Sequence, residues 1–426
     1  MPTTIMASLL IKDVRIFTGE EEINNGYVLV SDSKIASFGS SNSIPSSLPP
    51  NTLTLSKPGH TLLPGFLDAH IHANGGSELA LEQSLRFGVT TVMDMHNEIA
   101  HVRKLKKLAG ESKDVADFKT SALSATVENG WPIPVITAHD KSEETAKEIA
   151  TWPRLTNKEN VSAYLKQNIA DGCDYIKLMQ ERGAAMGFPP LAHPSESLQS
   201  LIVSAAHSHG LKAVAHATCL ADTLLVLRAG VDGLTHTFYD QPPTEELVQA
   251  YKMNNAWCNP TLAAIGSLTT EGKPIAERFA HDERVKGLIG EVERERMCQC
   301  MGFHAESSKV GFAYESVRRL RKEGIDIICG SDAAGPAIGT AWGLSLHHEL
   351  FLFVDKVGFT PKEALISASS LTAKLFGFGD RGRIAEGLKA DLVLVEGNPL
   401  EDIDATLNLR GVWRDGVLAS VYEGKV

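Results

Sequence analysis

The sequence predicts an α/β chain: a (β/α)8 TIM-like barrel carrying a small β-sandwich domain assembled from both termini. Three observations lead there. The middle of the chain alternates apolar strand-like runs with amphipathic helical stretches, with eight strand-like runs in all. Both ends carry short alternating segments broken by turn-forming residues. Residues able to hold a metal fall at the ends of the strand-like runs, where barrels of this class keep their function.

Residues 8 to 56 contain "LLIKDVRIFTG", "YVLVSDSKIASFG" and "TLTLS", small antiparallel strands separated by Gly, Asn, Ser and Pro. The same grammar returns in residues 381 to 424, with turn pairs Glu396-Gly397 and Asp415-Gly416. Neither half buries a core alone, so the two are expected to pack together, which divides the chain into residues 1–62, a barrel over 63–375 and residues 376–426. Barrel strands are expected to end near His72, Asp94, Ser124, Leu178, His216, His236, Leu262 and Asp332. In the helix "SESLQSLIVSAAHSHG", Leu198, Leu201, Ile202, Ala205 and Ala206 share one face and Gly210 closes it. A long loop is expected from about 125 to 155, and the charged segment 263–311 reads as a helical insertion able to cover the barrel mouth.

Composition narrows the function classes. The 426 residues suffice for a barrel with an appendage, and a net charge of -11 with scattered acidic residues argues against nucleic acid or an anionic membrane as partner. A small-molecule substrate is the default. None of the six cysteines forms a CxxC pair, so they read as free thiols in a reducing compartment. The N-terminal stretch meets charged residues too early for a signal sequence, and no run of about 18 apolar residues occurs. A cytoplasmic location is the expectation.

Two histidines in "LPGFLDAHIHA", His70 and His72, leave an extended strand on the same side. Lys177 ends "CDYIKLM", His216 ends "KAVAHA", His236 lies in "VDGLTHTF" and Asp332 ends "IDIICGSD". Each alone has a bland reading as a core group, a solvated charge or a helix cap. At the ends of five of the eight strands of one barrel they converge on one cavity.

With these motifs the chain resembles the amidohydrolase superfamily over almost its whole length, nearest to the imidazolonepropionase-like branch that includes ochratoxin-hydrolysing and dipeptidase-like members. "LPGFLDAHIH" is similar to the HxH signature, "FGVTTVMDM" to the following strand, "GCDYIKLM" to the lysine strand and "GSDAAG" to the strand-eight aspartate. The tail from "ISASSLTAKLFG" onward resembles the closing helix and the return to the small sheet. The resemblance implies two divalent metal ions: one held by His70, His72 and Asp332, the other by His216 and His236. Lys177 would bridge both as a CO2-derived carbamate, since an ammonium has no acceptor. Mixed imidazole and oxygen ligation suits Zn2+ best, with Mn2+ and Co2+ tolerated. A bridging water with its pKa lowered from about 15.7 toward about 7 would then supply hydroxide, with Asp332 moving its proton to the leaving amine.

Further candidates lie around this set. His139, in the loop "TVENGWPIPVITAHD", sits where related enzymes place a substrate-polarising histidine, although the loop departs from their Gly-Gly-His pattern. Trp131 could wall the pocket, Arg182 could clamp a substrate carboxylate and Tyr239 could donate to substrate. His207 and His209 read as helix-end residues, and His347 and His348 as solvent-facing or packing groups. The expected activity is hydrolysis of an amide or peptide C–N bond in an N-acyl amino acid, dipeptide or mycotoxin-like amide. Ring-opening hydrolysis or deamination of a heterocycle is the alternative, decarboxylation a third. An inactive barrel scaffold is the reading from another class. Substrate identity would be set by loops that carry no readable motif, and a homo-oligomer is expected from the family.

Overall fold

The computed structural model describes residues 8–426, apart from the side chain of His139. Two four-stranded parallel sheets form the middle of the chain. One runs Ala333–Ala334, Phe66–His72, Val89–Asp94, Asp117–Thr120; the other runs Ile176–Met179, Ala213–His216, Gly233–Leu234, Trp257–Cys258. Single parallel bridges pair Ala125, which follows the strand Asp117–Thr120, with Leu178, and Ile327, which precedes Ala333–Ala334, with Cys258. Strands covered on both faces need no alternation, and Val89–Asp94 and Ile176–Met179 are buried at every position. The expected strand end at Leu262 lies instead at Cys258, because Leu262 opens the helix Leu262–Leu268.

Helices wrap these sheets as their periodicity requires. Glu196–Ser208 starts where the Ser195 hydroxyl accepts from the Leu198 N–H, and it buries Leu198, Ile202, Val203 and Ala206. The buried face is rotated slightly from the expected one, leaving Leu201 and Ala205 half-buried. Segment 263–311 contains the helices Lys273–Ala280 and Glu291–Met297, as its charge pattern suggests. The stretch expected as a loop after the third strand carries two helices, Ile133–His139 and Glu143–Ala150. Pro132 sets the entry to the first, and Ser142 caps the second by accepting from the Thr145 N–H. Among the described residues, no helix is long and apolar enough to cross a membrane.

Strands from both termini hydrogen-bond as one eight-stranded sheet. His60–Pro64 is the seam: it pairs in parallel with Leu9–Phe17 and antiparallel with Leu392–Glu396, so that Leu62 faces Leu394 and Leu63 faces Val393. The period of two then separates two cores. Leu62, Leu392, Leu394 and Trp413 pack with Ile11, Val14, Ile16 and Val28 in a small terminal core. Leu63, Val393, Val395 and Val412 point the other way, into the main core. Charged groups fasten this junction. Buried Arg414 donates to the carbonyls of Ala109, Ser112 and Val115, and buried Arg381 donates to Thr91, Asp117 and Asp380.

Candidate metal centre

At the C-terminal ends of the parallel strands, the structure gathers a different set of polar groups. His70 Nε2 lies 3.2 Å from His72 Nε2, and these nitrogens stand 3.2 and 3.4 Å from Asp332 Oδ1. Strand pairing produces this approach, because the Asp332 N–H donates to the His70 carbonyl at 2.7 Å while Ala333 pairs with Ile71. Asp332 adopts a left-handed backbone with φ 53°, a conformation in which Asp is over-represented. His236 joins the group with Nδ1 4.0 Å from Asp332 Oδ2, and its ring centroid is 4.8 Å from that of His70 and 4.7 Å from that of His216. Lys177, 1% exposed, donates to the Thr235 hydroxyl, and the Thr235 carbonyl faces His70 Nδ1 at 2.9 Å.

The electrostatics suit metal ligation. A carbonyl can only accept, so His70 Nδ1 carries the proton and Nε2 presents its lone pair to His72 and Asp332. Burial holds the imidazolium forms of His70 and His236 well below their usual range and lowers that of His216. Burial also pushes the Lys177 ammonium down to about 7, against an opposing pull from Asp332. A neutral amine is therefore available near physiological pH, the form that can react with CO2. Unprotonated imidazoles converging on one carboxylate are a donor set that a divalent cation fits.

Several supporting residues escape a reading of the sequence. Glu181, buried, accepts from Thr218 Oγ1 and the Gly183 N–H and faces His216 Nε2 at 3.2 Å, which leaves Nδ1 of His216 to face other groups. Asp68 accepts from Ser331 N and Oγ at 2.9 and 2.6 Å and from the His70 N–H, tying the first strand to the segment carrying Asp332; burial raises its carboxyl to about 7. Thr261, whose hydroxyl lies 2.7 Å from His236 Nδ1, has φ 49°, a strained value for a β-branched residue. Glu349 holds it there by accepting from the Leu262 and Ala263 N–H groups at 2.8 Å each. Spacing offers a signal for two of these: Asp68 stands two residues before His70 on the same strand, and Glu181 is a carboxylate four residues past Lys177.

The peripheral candidates separate. Trp131 stacks on the His216 ring, with centroids 5.5 Å apart and planes 20° apart, and so walls the centre. The Arg182 guanidinium is committed to buried Asp222, with Nε and an Nη within 2.9 and 2.8 Å of Oδ1. The Tyr239 hydroxyl donates to the Phe303 carbonyl at 3.1 Å and is buried. The His139 side chain lies outside the described residues, and its backbone ends the helix Ile133–His139. His347 and His348 are buried in packing away from the centre, His347 between the Phe87 carbonyl and Thr406 Oγ1.

Comparison with known proteins agrees with this architecture. Ochratoxinase of Aspergillus niger is 25% identical over 456 aligned positions, spanning 98% of this chain and 86% of its own. The crystal structure of A. niger ochratoxinase matches with a TM-score of 0.74 at 21% identity, covering 97% of this chain and 95% of that one. A Xaa-Pro dipeptidase with methionine bound in its active site matches with a TM-score of 0.73 at 21% identity, over 97% and 99% of the two chains. These structural likenesses show a shared fold. The Amidohydrolase family model matches residues 61–424, and the chain belongs to that family.

Proposed function

We propose that this protein is a metal-dependent hydrolase of an amide or peptide C–N bond in a small N-acyl amino acid, dipeptide or mycotoxin-like amide. The observation that carries the reading is the convergence of His70 Nε2, His72 Nε2 and Asp332 Oδ1 within 3.4 Å, beside a buried lysine held near neutrality. His70, His72 and Asp332 would hold one divalent cation and His216 and His236 a second, with carbamylated Lys177 shared and Zn2+ favoured by the donor types. Bound, such ions supply the Lewis acidity that makes water nucleophilic near pH 7 and polarises a carbonyl.

The chain's own residues do the rest. Asp332 is the partly exposed carboxylate of the cluster, so it takes the proton of the attacking water and returns it to the leaving amine nitrogen. Thr235 orients His70 through its carbonyl, Glu181 orients His216, and the Thr261 hydroxyl orients His236. Trp131 covers His216 and limits water there. The bridges between the two parallel sheets support a (β/α)8 barrel over residues 63–375, and the shared terminal core supports a small domain built from 1–62 and 376–426. The dipeptidase and ochratoxinase among its likenesses support amide substrates. Assay of the purified protein, supplied with Zn2+ and bicarbonate, against N-acyl amino acids, dipeptides and lactams tests the reading. Hydrolysis abolished by chelation and restored by Zn2+ is expected; hydrolysis that survives complete metal removal contradicts it.

A further inference from the structure

A second histidine environment beside this centre has no role in the mechanism above. His96 follows the second strand, Val89–Asp94, in "MDMHNE". Its neighbour Met95 donates to the Ile71 carbonyl on the strand of His72, and its ring is pinned to Ser124, next to Ala125, whose N–H donates to the Lys177 carbonyl. His96 thus stands between the strands of His72 and Lys177, within electrostatic reach of both side chains.

Its tautomer follows from its partners. The Ser124 backbone N–H donates to His96 Nδ1 at 3.1 Å, and the Ser124 hydroxyl lies 2.6 Å from the same nitrogen. A backbone N–H has no other capacity, so Nδ1 accepts and the neutral ring carries its proton on Nε2. That N–H is buried and has no hydrogen-bond partner among the described residues, in a side chain only 7% exposed. Leaving a buried donor unpaired is costly, which makes such groups informative. The nearest carboxylate oxygen, Glu98 Oε1, lies 3.9 Å away, beyond hydrogen-bond length, and accepts from Trp152 Nε1 at 3.1 Å. The same tautomer argues against Nε2 as a metal ligand, since it has no free lone pair.

We infer that His96 is a substrate-binding residue whose Nε2–H donates to the acyl carbonyl oxygen of the amide undergoing hydrolysis. Glu98 makes the position unfavourable for a substrate carboxylate and leaves a neutral carbonyl as the fitting acceptor. This rests on the amide-hydrolase reading. Trp152, which follows the helix Glu143–Ala150, packs edge-on against the His96 ring with centroids 4.4 Å apart.

The test compares wild type, His96→Ala and His96→Gln in the metal-loaded protein, using an N-acyl amino acid that the wild type cleaves and its C-terminal carboxamide. His96→Ala is expected to lose about 100-fold in kcat, the loss typical for one oxyanion-side donor, equally for both substrates and with metal content unchanged; Tm falls because the buried Ser124 N–H loses its acceptor, so rates are compared well below it. His96→Gln, which can place an amide N–H near the same point, should recover part of the loss. Nitrogen NMR of the wild type should show a one-bond N–H coupling at Nε2 and none at Nδ1. Rates within twofold of wild type in His96→Ala overturn the inference while leaving the hydrolase reading intact. A loss confined to the substrate with a free carboxylate, or a proton found on Nδ1, also overturns it. If the wild type cleaves no amide, the hydrolase reading and this inference fall together.

Discussion

One buried charged cluster lies at the start of the strand Asp117–Thr120 and another at the far ends of strands parallel to it, and they are built on opposite rules. At the junction with the terminal sheet, Arg381 and Arg414 surround Asp117, the first residue of the strand Asp117–Thr120. Each arginine has carbonyl or carboxylate acceptors, and the guanidinium of Arg381 holds the Asp117 carboxyl far below the usual carboxylate range. At the other end, Lys177 is buried against a hydroxyl, and three of the four histidines are kept from protonation by burial. Paired burial makes a fastening that resists change of charge. Unpaired burial leaves lone pairs and a neutral amine ready to bind something else.

Substitutions can break this contrast. The largest effect is expected at the unpaired end, from Asp332→Asn. It keeps the shape but removes the proton acceptor, so kcat should fall about 10²- to 10⁴-fold with little change in Tm, read by steady-state kinetics beside thermal melts. Asp117→Ala should do the reverse. It takes from Arg414 its carboxylate partner and from Arg381 one of two, while their carbonyl, hydroxyl and Asp380 acceptors remain, so denaturant unfolding should show a loss of about 1.5–3 kcal/mol, while the remaining folded protein turns over at the wild-type rate per metal-loaded chain. Glu181→Ala tests the supporting layer: loss of the carboxylate facing His216 should weaken binding of one metal about 10- to 100-fold, read by competition with a chelating dye. Equal weakening of both metals would place Glu181 outside the layer around His216.

The smallest effect sharpens the comparison through pH. His347 is buried between two oxygen atoms and titrates only at about 4, although an unfolded histidine titrates near 6.5. Between these values the unfolded chain binds the extra proton, so His347 costs stability progressively as pH falls from about 6.5 to 4. Asp117, with its carboxyl depressed, contributes in full above about pH 4 and loses its contribution below it. His347→Gln should therefore flatten the dependence of unfolding free energy on pH between 4 and 6.5 and leave the steeper loss at lower pH unchanged.

The contrast also explains what was legible in the sequence. The candidate metal ligands sit at the ends of apolar runs, and position two apart in a strand is enough to put His70 and His72 on one side. What holds them is not local. Glu349 steadies Thr261 from 88 residues away (349 − 261), and Arg182 is taken up by Asp222, 40 positions on. Charge alone could not distinguish that pairing from a substrate clamp. Short strands such as Gly233–Leu234 and Ala333–Ala334 leave too few residues for a period to be read. The seam between His60–Pro64 and Leu392–Glu396 joins segments more than 300 residues apart, and both its faces are apolar because each meets a different core. The helices after the third strand look like a loop in the sequence because Pro132 and the polar run before Ser142 resemble loop punctuation, whereas both mark helix starts.

The account depends most on Lys177 acting as a neutral, metal-shared ligand. Metal content per chain, measured together with hydrolysis on wild type and Lys177→Ala purified side by side with Zn2+ and bicarbonate, tests it directly. The account predicts about two ions per chain in the wild type and, in the variant, at most about one ion with hydrolysis lost. A variant that still carries two ions and hydrolyses at the wild-type rate contradicts it.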